Sequence, residues 1–145
     1  MSSQHIEGAV LSENLSLPLG ADPTLRLVPM PADTNAAGDV FGGWIMSHVD
    51  LAGAIAATRR ANGHVVTVAV NEFQFHHPVF VGDIVSYYAY VKRVGRTSIT
   101  IFVEVYAERA RMPHDILKVT EATVTYVAVD TDRKPRPVDP GVLEA

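Results

Sequence analysis

Along this chain the hydrophobic pattern changes period once. From about Phe41 to Ala61 the run FGGWIMSHVDLAGAIAATRRA is apolar nearly all round until Arg59 and Arg60, the signature of a helix buried on most sides with a wetted C-terminal end. Asn62-Gly63 supplies its stop, because both residue types accept the left-handed backbone that ends helices. Beyond it the period becomes two. HVVTVAVNEFQF, DIVSYYAYVKRV, TSITIFVEVYAERA and DILKVTEATVTYVAV are rich in Val, Ile, Thr, Tyr and Phe and are divided at Pro78/Gly82, Gly95 and Pro113, so they predict four long strands. Gly95-Arg96 reads as a tight hairpin, with a weaker turn signal than Asn-Gly. Upstream of the helix, TLRLVPM predicts a short strand from Thr24 to Met30 that ends at Pro31, and PADTNAAGD a loop of small turn-forming residues.

The elements add up to an α+β domain over residues 23–130, in which a largely antiparallel sheet wraps one long helix. Residues 1–22 predict a loose N-terminal arm. The end of the chain, DRKPRPVDPGVLEA, has three prolines and no periodicity, and residues 131–145 predict an extended or disordered tail. A helix covers only one face of such a sheet. Tyr87 or Tyr88, with Phe102 and Tyr106, makes the other face or the edge partly apolar as well, and self-association through long exposed strands is the simplest way to cover it.

Composition narrows the function. At 145 residues, with 48% hydrophobic and 19% charged content, the chain has the balance of one globular domain that forms a core without staples. It has no cysteine, which removes disulfides, thiolate nucleophiles and Cys-bound zinc. The net charge of -4 argues against a general nucleic-acid binder. The first residues carry no export-signal pattern and no stretch reads as a membrane span, so the expectation is a cytoplasmic protein with no membrane or nucleic-acid partner.

One residue stands out in the helix. Asp50 is flanked by Met46, Val49, Leu51 and Ala54, with no Lys or Arg within one turn. A buried carboxylate without a partner is costly and tends to hold its proton to higher pH, a property that suits a general base. A structural reading, in which it caps a loop or accepts backbone N–H groups, accounts for Asp50 alone equally well. Its stripe contains Gly43, Met46, Ser47, Gly53 and Ala54. Glycine in a helix costs about 1 kcal/mol, so Gly53 and the Gly42-Gly43 pair imply that a helix or a slim ligand approaches the backbone. GDVFGGW also places Asp39 just before a helix N-terminus bare of side chains at Gly42 and Gly43, where free amides can hold an oxyanion or a polarised carbonyl. Tight packing explains those glycines too. Gly42 and Asp50 lie eight residues apart in sequence, roughly 12 Å along a helix axis, so one copy cannot bring both to a single carbonyl. If both are catalytic, the site lies between two copies with antiparallel helices.

MPADTNAAGDVFGGWIMSHVD, LAGAIAA, HVVTVAV, the PVFVGD corner and VGRTSITIFVEVYAE together resemble the YciA-type acyl-CoA thioesterases of the hotdog superfamily, and more distantly the two-domain mammalian acyl-CoA hydrolases. The resemblance spans roughly Leu25 to Val129, with separate segments agreeing in order and spacing. It implies a five-stranded antiparallel sheet around one central helix, an obligatory homodimer that assembles as trimers of dimers, and hydrolysis of fatty acyl-CoA without metal or cofactor. It further implies Asp50 as the catalytic carboxylate, Asp39 facing it from another subunit, and Gly42 and Gly43 polarising the thioester carbonyl. Asn35, in the same loop as Asp39, belongs with the CoA-binding set.

CoA carries a 3'-phosphate and a diphosphate, so an acidic protein needs a local cationic rim. Lys92, Arg93 and Arg96 around the Gly95 turn, with Thr97 and Ser98 as hydroxyl donors, are the leading candidates, and the family pattern at VGRTS agrees. Arg59 and Arg60 suit a helix C-terminus in any case, and a solvated tail explains Arg133, Lys134 and Arg136. The six histidines form no zinc-binding spacing: His76 and His77 face opposite sides of a strand end, and His48 lies about 200° round the helix from Asp50. No nucleophile elbow is present. Two rival functions keep the same pocket, a hydroxyacyl-thioester dehydratase and a non-catalytic acyl-CoA-binding module. Only a hydrolase releases free CoA.

Overall fold

The computed structural model describes residues 16–109 and 115–143. Its elements run β1 (Leu25–Leu27), a 3-10 turn (Pro31–Asp33), α1 (Gly42–Ala61), β2 (Val65–Phe75), β3 (Ile84–Val94), β4 (Ser98–Glu108), β5 (Ile116–Ala128) and a final turn of helix, α2 (Pro140–Leu143). The strands form one sheet in the order β1-β3-β4-β5-β2, every neighbouring pair antiparallel. This is the expected five-stranded sheet around one long helix. Only Leu25–Leu27 of the first predicted strand pairs, since Pro29 and Pro31 follow at once and proline cannot donate to a ladder.

Alternation along the central strands sorts their side chains. Val85 and Tyr87 of β3, Ile99, Ile101, Val103 and Val105 of β4, and Val124, Tyr126 and Ala128 of β5 pack beneath α1. The helix meets them with Ile45, Val49, Ala52, Gly53, Ala57 and Ala61, which recur every three to four residues, with Ala52 and Gly53 side by side, along one helical face. That stripe is narrower than expected, because Met46 and Leu51 on the rest of α1, and Phe41 at its N-cap, are exposed in a single chain. On the opposite face of the sheet Tyr88 meets Tyr106 edge-on, with ring centroids 5.8 Å apart, and Lys118 lies over Phe102. The second apolar surface inferred from the aromatics is therefore Tyr88, Tyr106 and Phe102, with Tyr87 inside.

The C-terminal segment departs from the expected tail. Val129 bridges to Pro135, Arg136 donates to the carbonyl of Ala61 at 2.8 Å, Val138 is buried, and Asp139 accepts two bonds from Arg60 at 2.7 and 2.9 Å. These contacts cover the C-terminus of α1, whose last carbonyls lack intrahelical donors. Arg136 is thus committed to the fold, while Arg133 and Lys134 stay exposed. The predicted N-terminal arm falls mainly on residues 1–15, outside the described residues.

Candidate active site

The loop before α1 is shaped by Asn35. Its side-chain oxygen accepts the N–H groups of Ala37 at 2.9 Å and Asp39 at 3.1 Å, and its own N–H donates to the Asp39 carbonyl at 2.7 Å. Asn35, expected among the CoA-binding residues, thus has its side-chain oxygen engaged in shaping the loop at Asp39. Val40 then anchors the loop to the sheet side by donating to Val79 at 2.9 Å. The N-cap of α1 is Phe41, which makes no side-chain cap. Among the described residues the N–H groups of Gly42 and Gly43 have no acceptor, leaving two donors and the positive end of the helix dipole directed outward.

These residues border an open cleft of about 380 Å³, lined by Asn35, Asp39, Gly42 and, from the other side, Phe75, His76 and Val79. The far wall is braced from below. Arg109 pairs with the buried Asp83 at 2.5 Å and donates to the Pro78 carbonyl at 3.0 Å, while Asp83 also accepts the Phe80 N–H at 2.9 Å. A charged pair at 4–13% side-chain exposure holds its segment firmly, because breaking it strands a buried charge. At Gly42 an added Cβ would sit 3.3 Å from the Phe75 ring, whereas at Gly43 it would meet nothing within 4 Å. Packing therefore accounts for the first glycine and leaves the second unexplained within one chain.

Asp50 lies about two turns along α1 from those amides, in a different setting from the one expected. Its side chain is partly exposed in a single chain and is not without partners. Thr67 of β2 donates to Oδ1 at 2.7 Å. Tyr126 of β5 reaches the same Oδ1 at 3.1 Å and the Asp50 main-chain carbonyl at 2.8 Å. Gly53 is what admits the phenol, because a Cβ there would overlap the Tyr126 hydroxyl and lie 3.0 Å from Cζ. The close approach implied by Gly53 is thus made by neither a helix nor a ligand. Burial, and then the neighbouring Asp50 charge and hydrogen bond, pushes the Tyr126 phenol far above its ordinary range, so it stays a neutral donor. His48 turns away, bonding through Nδ1 to the Trp44 carbonyl at 2.7 Å.

The basic residues gather elsewhere. Lys92 and Arg93 line a hollow of about 500 Å³ with Asn71, Thr100, Thr123 and Thr125, on the sheet face opposite α1. Arg96 and Thr97 form the hairpin tip, where Gly95 donates to the Ser98 carbonyl at 2.8 Å. Ser98 pairs with Val127, while the cleft's Phe75 pairs with Thr120, so the hairpin and the cleft occupy opposite ends of the sheet. One chain brings together Asn35, Asp39 and Gly42, or Lys92 and Arg93, but does not join the groups to each other or to Asp50. Thr67, Tyr126 and the Phe75–Val79 wall were not identified from sequence. Gly53 was the one signal that pointed toward Tyr126. Among the described residues no three His, Cys, Asp or Glu side chains form a metal-binding group, and no helix is long and apolar enough to cross a membrane.

Known proteins resemble this chain in sequence and fold. Residues 37–113 match the Thioesterase superfamily. The acyl-CoA thioester hydrolase YciA of Salmonella typhimurium is 51% identical over 79% of this chain and 87% of its own length. A hexameric thioesterase from Yersinia pestis superposes with a TM-score of 0.79 at 48% identity, covering 85% of this chain and 98% of that one. A hexameric hotdog fold thioesterase of Campylobacter jejuni gives 0.79 at 46% identity, covering 85% and 94%.

Proposed function

This chain belongs to the thioesterase superfamily, and we propose that it hydrolyses acyl-CoA thioesters with Asp50 of one subunit working opposite the Gly42 and Gly43 amides of another. What carries the reading is the state of the Asp50 carboxylate: Oδ1 is held by hydroxyls, while Oδ2 has no partner among the described residues and the residue is partly exposed. The thioester carbonyl oxygen sits on the two amides, which stabilise the negative charge that develops as the carbonyl is attacked. Either water attacks the carbon and gives its proton to Asp50, or the carboxylate attacks directly. In the first route the C–S bond breaks and the CoA thiolate leaves with the carboxylic acid formed. In the second it leaves a mixed anhydride that water then opens. Asp39 faces the site from the amide-bearing subunit.

The surface of a single chain supports a second copy. Among the described residues β2 pairs only with β5, leaving an 11-residue edge that bears exposed Val68 and Val70, and Met46 and Leu51 of α1 are exposed as well. A long apolar edge of this kind invites strand pairing with another chain. Pairing β2 with β2 about a two-fold axis sets the two helices antiparallel and brings each Asp50 toward the other copy's α1 N-terminus. Relatives of this chain are hexameric, and three such dimers make a hexamer. The assembly would carry the hairpin cations, Lys92, Arg93 and Arg96 with Thr97 and Ser98, to the CoA phosphates of a site whose chemistry lies in other chains.

The test is incubation with acyl-CoAs of several chain lengths beside a thiol reagent. Stoichiometric free CoA is the expected product. Dehydrated but intact thioester, or binding without thiol release, would overturn the assignment. Single-turnover hydrolysis in 18O-labelled water distinguishes the routes, since label entering Asp50 marks the anhydride.

A further inference from the structure

We propose that Tyr126 is a positioning residue for the reaction, and that together with Thr67 it fixes the Asp50 carboxylate so that Oδ2 is the reacting oxygen. The inference rests on the catalytic role given to Asp50 above and adds which atom acts and what holds it.

Three features meet at one place. First, the phenol is fully buried on β5 and its oxygen lies within hydrogen-bond distance of both the Asp50 main-chain carbonyl, at 2.8 Å, and Oδ1, at 3.1 Å. A neutral phenol has one proton, so it is shared between the helix backbone and the carboxylate. This ties the side-chain torsion of Asp50 to the position of α1 itself. Second, Thr67 donates to the same Oδ1 from the other flank at 2.7 Å. An oxygen that accepts from two hydroxyls is a poor base and a poor nucleophile, because both reactions use the lone pairs those donors occupy. Oδ2 accepts nothing among the described residues, and no ion pair reaches Asp50. Third, Gly53 lies one turn further along α1, where any side chain would displace the phenol. A tyrosine that served only as core filler would not need a glycine opposite its hydroxyl.

Tyr126 therefore acts on the aim of Oδ2 and not on the binding of CoA.

Tyr126→Phe keeps the buried ring and removes only the hydroxyl. The expected result is a fall in kcat of roughly 10- to 100-fold, the usual consequence of losing near-attack alignment, with KM for the acyl-CoA unchanged within about twofold. In an Asp50→Asn background the same substitution should lower the residual rate no further, since the residue acts through that carboxylate. A Tyr126→Phe enzyme with wild-type kcat would overturn the inference, as would an equal loss in both backgrounds. The Thr67→Ser variant, which preserves the second hydroxyl, should stay active while Thr67→Val falls in kcat at unchanged KM. An inactive Asp50→Asn beside a normal Tyr126→Phe sinks the positioning role alone. A fully active Asp50→Asn sinks the parent reading and this one with it.

Discussion

At the N-terminus of α1 side chains are stripped away, whereas at Asp50 one side chain is surrounded and held. Gly42 and Gly43 present main-chain N–H groups behind a cap residue, Phe41, that cannot satisfy them. Their positions are set by the helix itself, by Asn35 in the loop and by the Arg109–Asp83 brace under the opposite wall. Asp50 instead depends on two hydroxyls from two strands, Thr67 and Tyr126, and on the space at Gly53. Backbone donors tolerate substitution nearby as long as the helix starts where it does. A carboxylate aimed by side chains is sensitive to single atoms. Each half lacks what the other has, and the helix rise keeps them apart within one chain.

The largest effect should come from the aimed half. Asp50→Asn removes the proposed base or nucleophile while keeping shape, and kcat should fall by roughly 10²- to 10⁴-fold with CoA binding retained, as measured by steady-state kinetics and calorimetry. If the two halves meet across subunits, mixing inactive Asp50→Asn with inactive Asp39→Ala protein and allowing exchange should restore about a quarter of wild-type activity. Half of the dimers are then mixed, and each mixed dimer keeps one of its two symmetric sites intact. No recovery after demonstrated exchange would break the comparison, because it would place both halves in the same chain.

The unequal legibility of the halves follows from how they are made. The helix, its Asn62-Gly63 stop and the four long strands could be read from a change of period, and their observed ends lie within about two residues of the expected ones. Asn62 does adopt the left-handed conformation, with φ of 55°. Asp50 was visible because a lone carboxylate interrupts an apolar run. Tyr126 was not, since a tyrosine at an inward position of an alternating strand reads as core, and its hydroxyl's partner is fixed by where the helix lies across the sheet. The C-terminal segment was misread for a related reason: its ties, Arg136 to Ala61 and Val138 into the core, are single long-range contacts with no period.

The two glycine sites separate the halves further. Gly53→Ala forces a methyl group into the Tyr126 hydroxyl and should cost about 1–3 kcal/mol by overpacking, seen as a lower Tm, with part of the loss recovered when Tyr126→Phe is added. Gly43→Ala meets open space and should leave Tm unchanged or slightly raised. If a thioester or a second subunit lies against that position, kcat/KM falls all the same. A Gly43→Ala enzyme of normal activity would show that nothing approaches the amide-bearing end. Arg93→Ala and Arg96→Ala should act on neither half, raising KM several-fold with kcat little changed and weakening the dependence of KM on salt.

The smallest effect is expected at the far end of α1, where Arg60 and Asp139 lie on the surface at 37% and 41% side-chain exposure. The hydrogen bond from Arg60, aided by its charge, holds the Asp139 carboxyl below its ordinary value of 3.8. A depressed carboxylate contributes stability that is complete above its unfolded value and is lost as the pH falls through the folded one. Asp139→Asn should therefore lower Tm only slightly near neutral pH, since exposed pairs are screened by water and salt. The gap from wild type should close as the pH is taken below that ordinary value and on through the depressed folded one, where the wild-type carboxyl also becomes protonated. Activity should not follow it, because the contact fixes the helix C-terminus and neither Asp50 nor the Gly42-Gly43 amides. A change in kcat on Asp139→Asn at neutral pH would show that the docked C-terminal segment influences the aimed half after all.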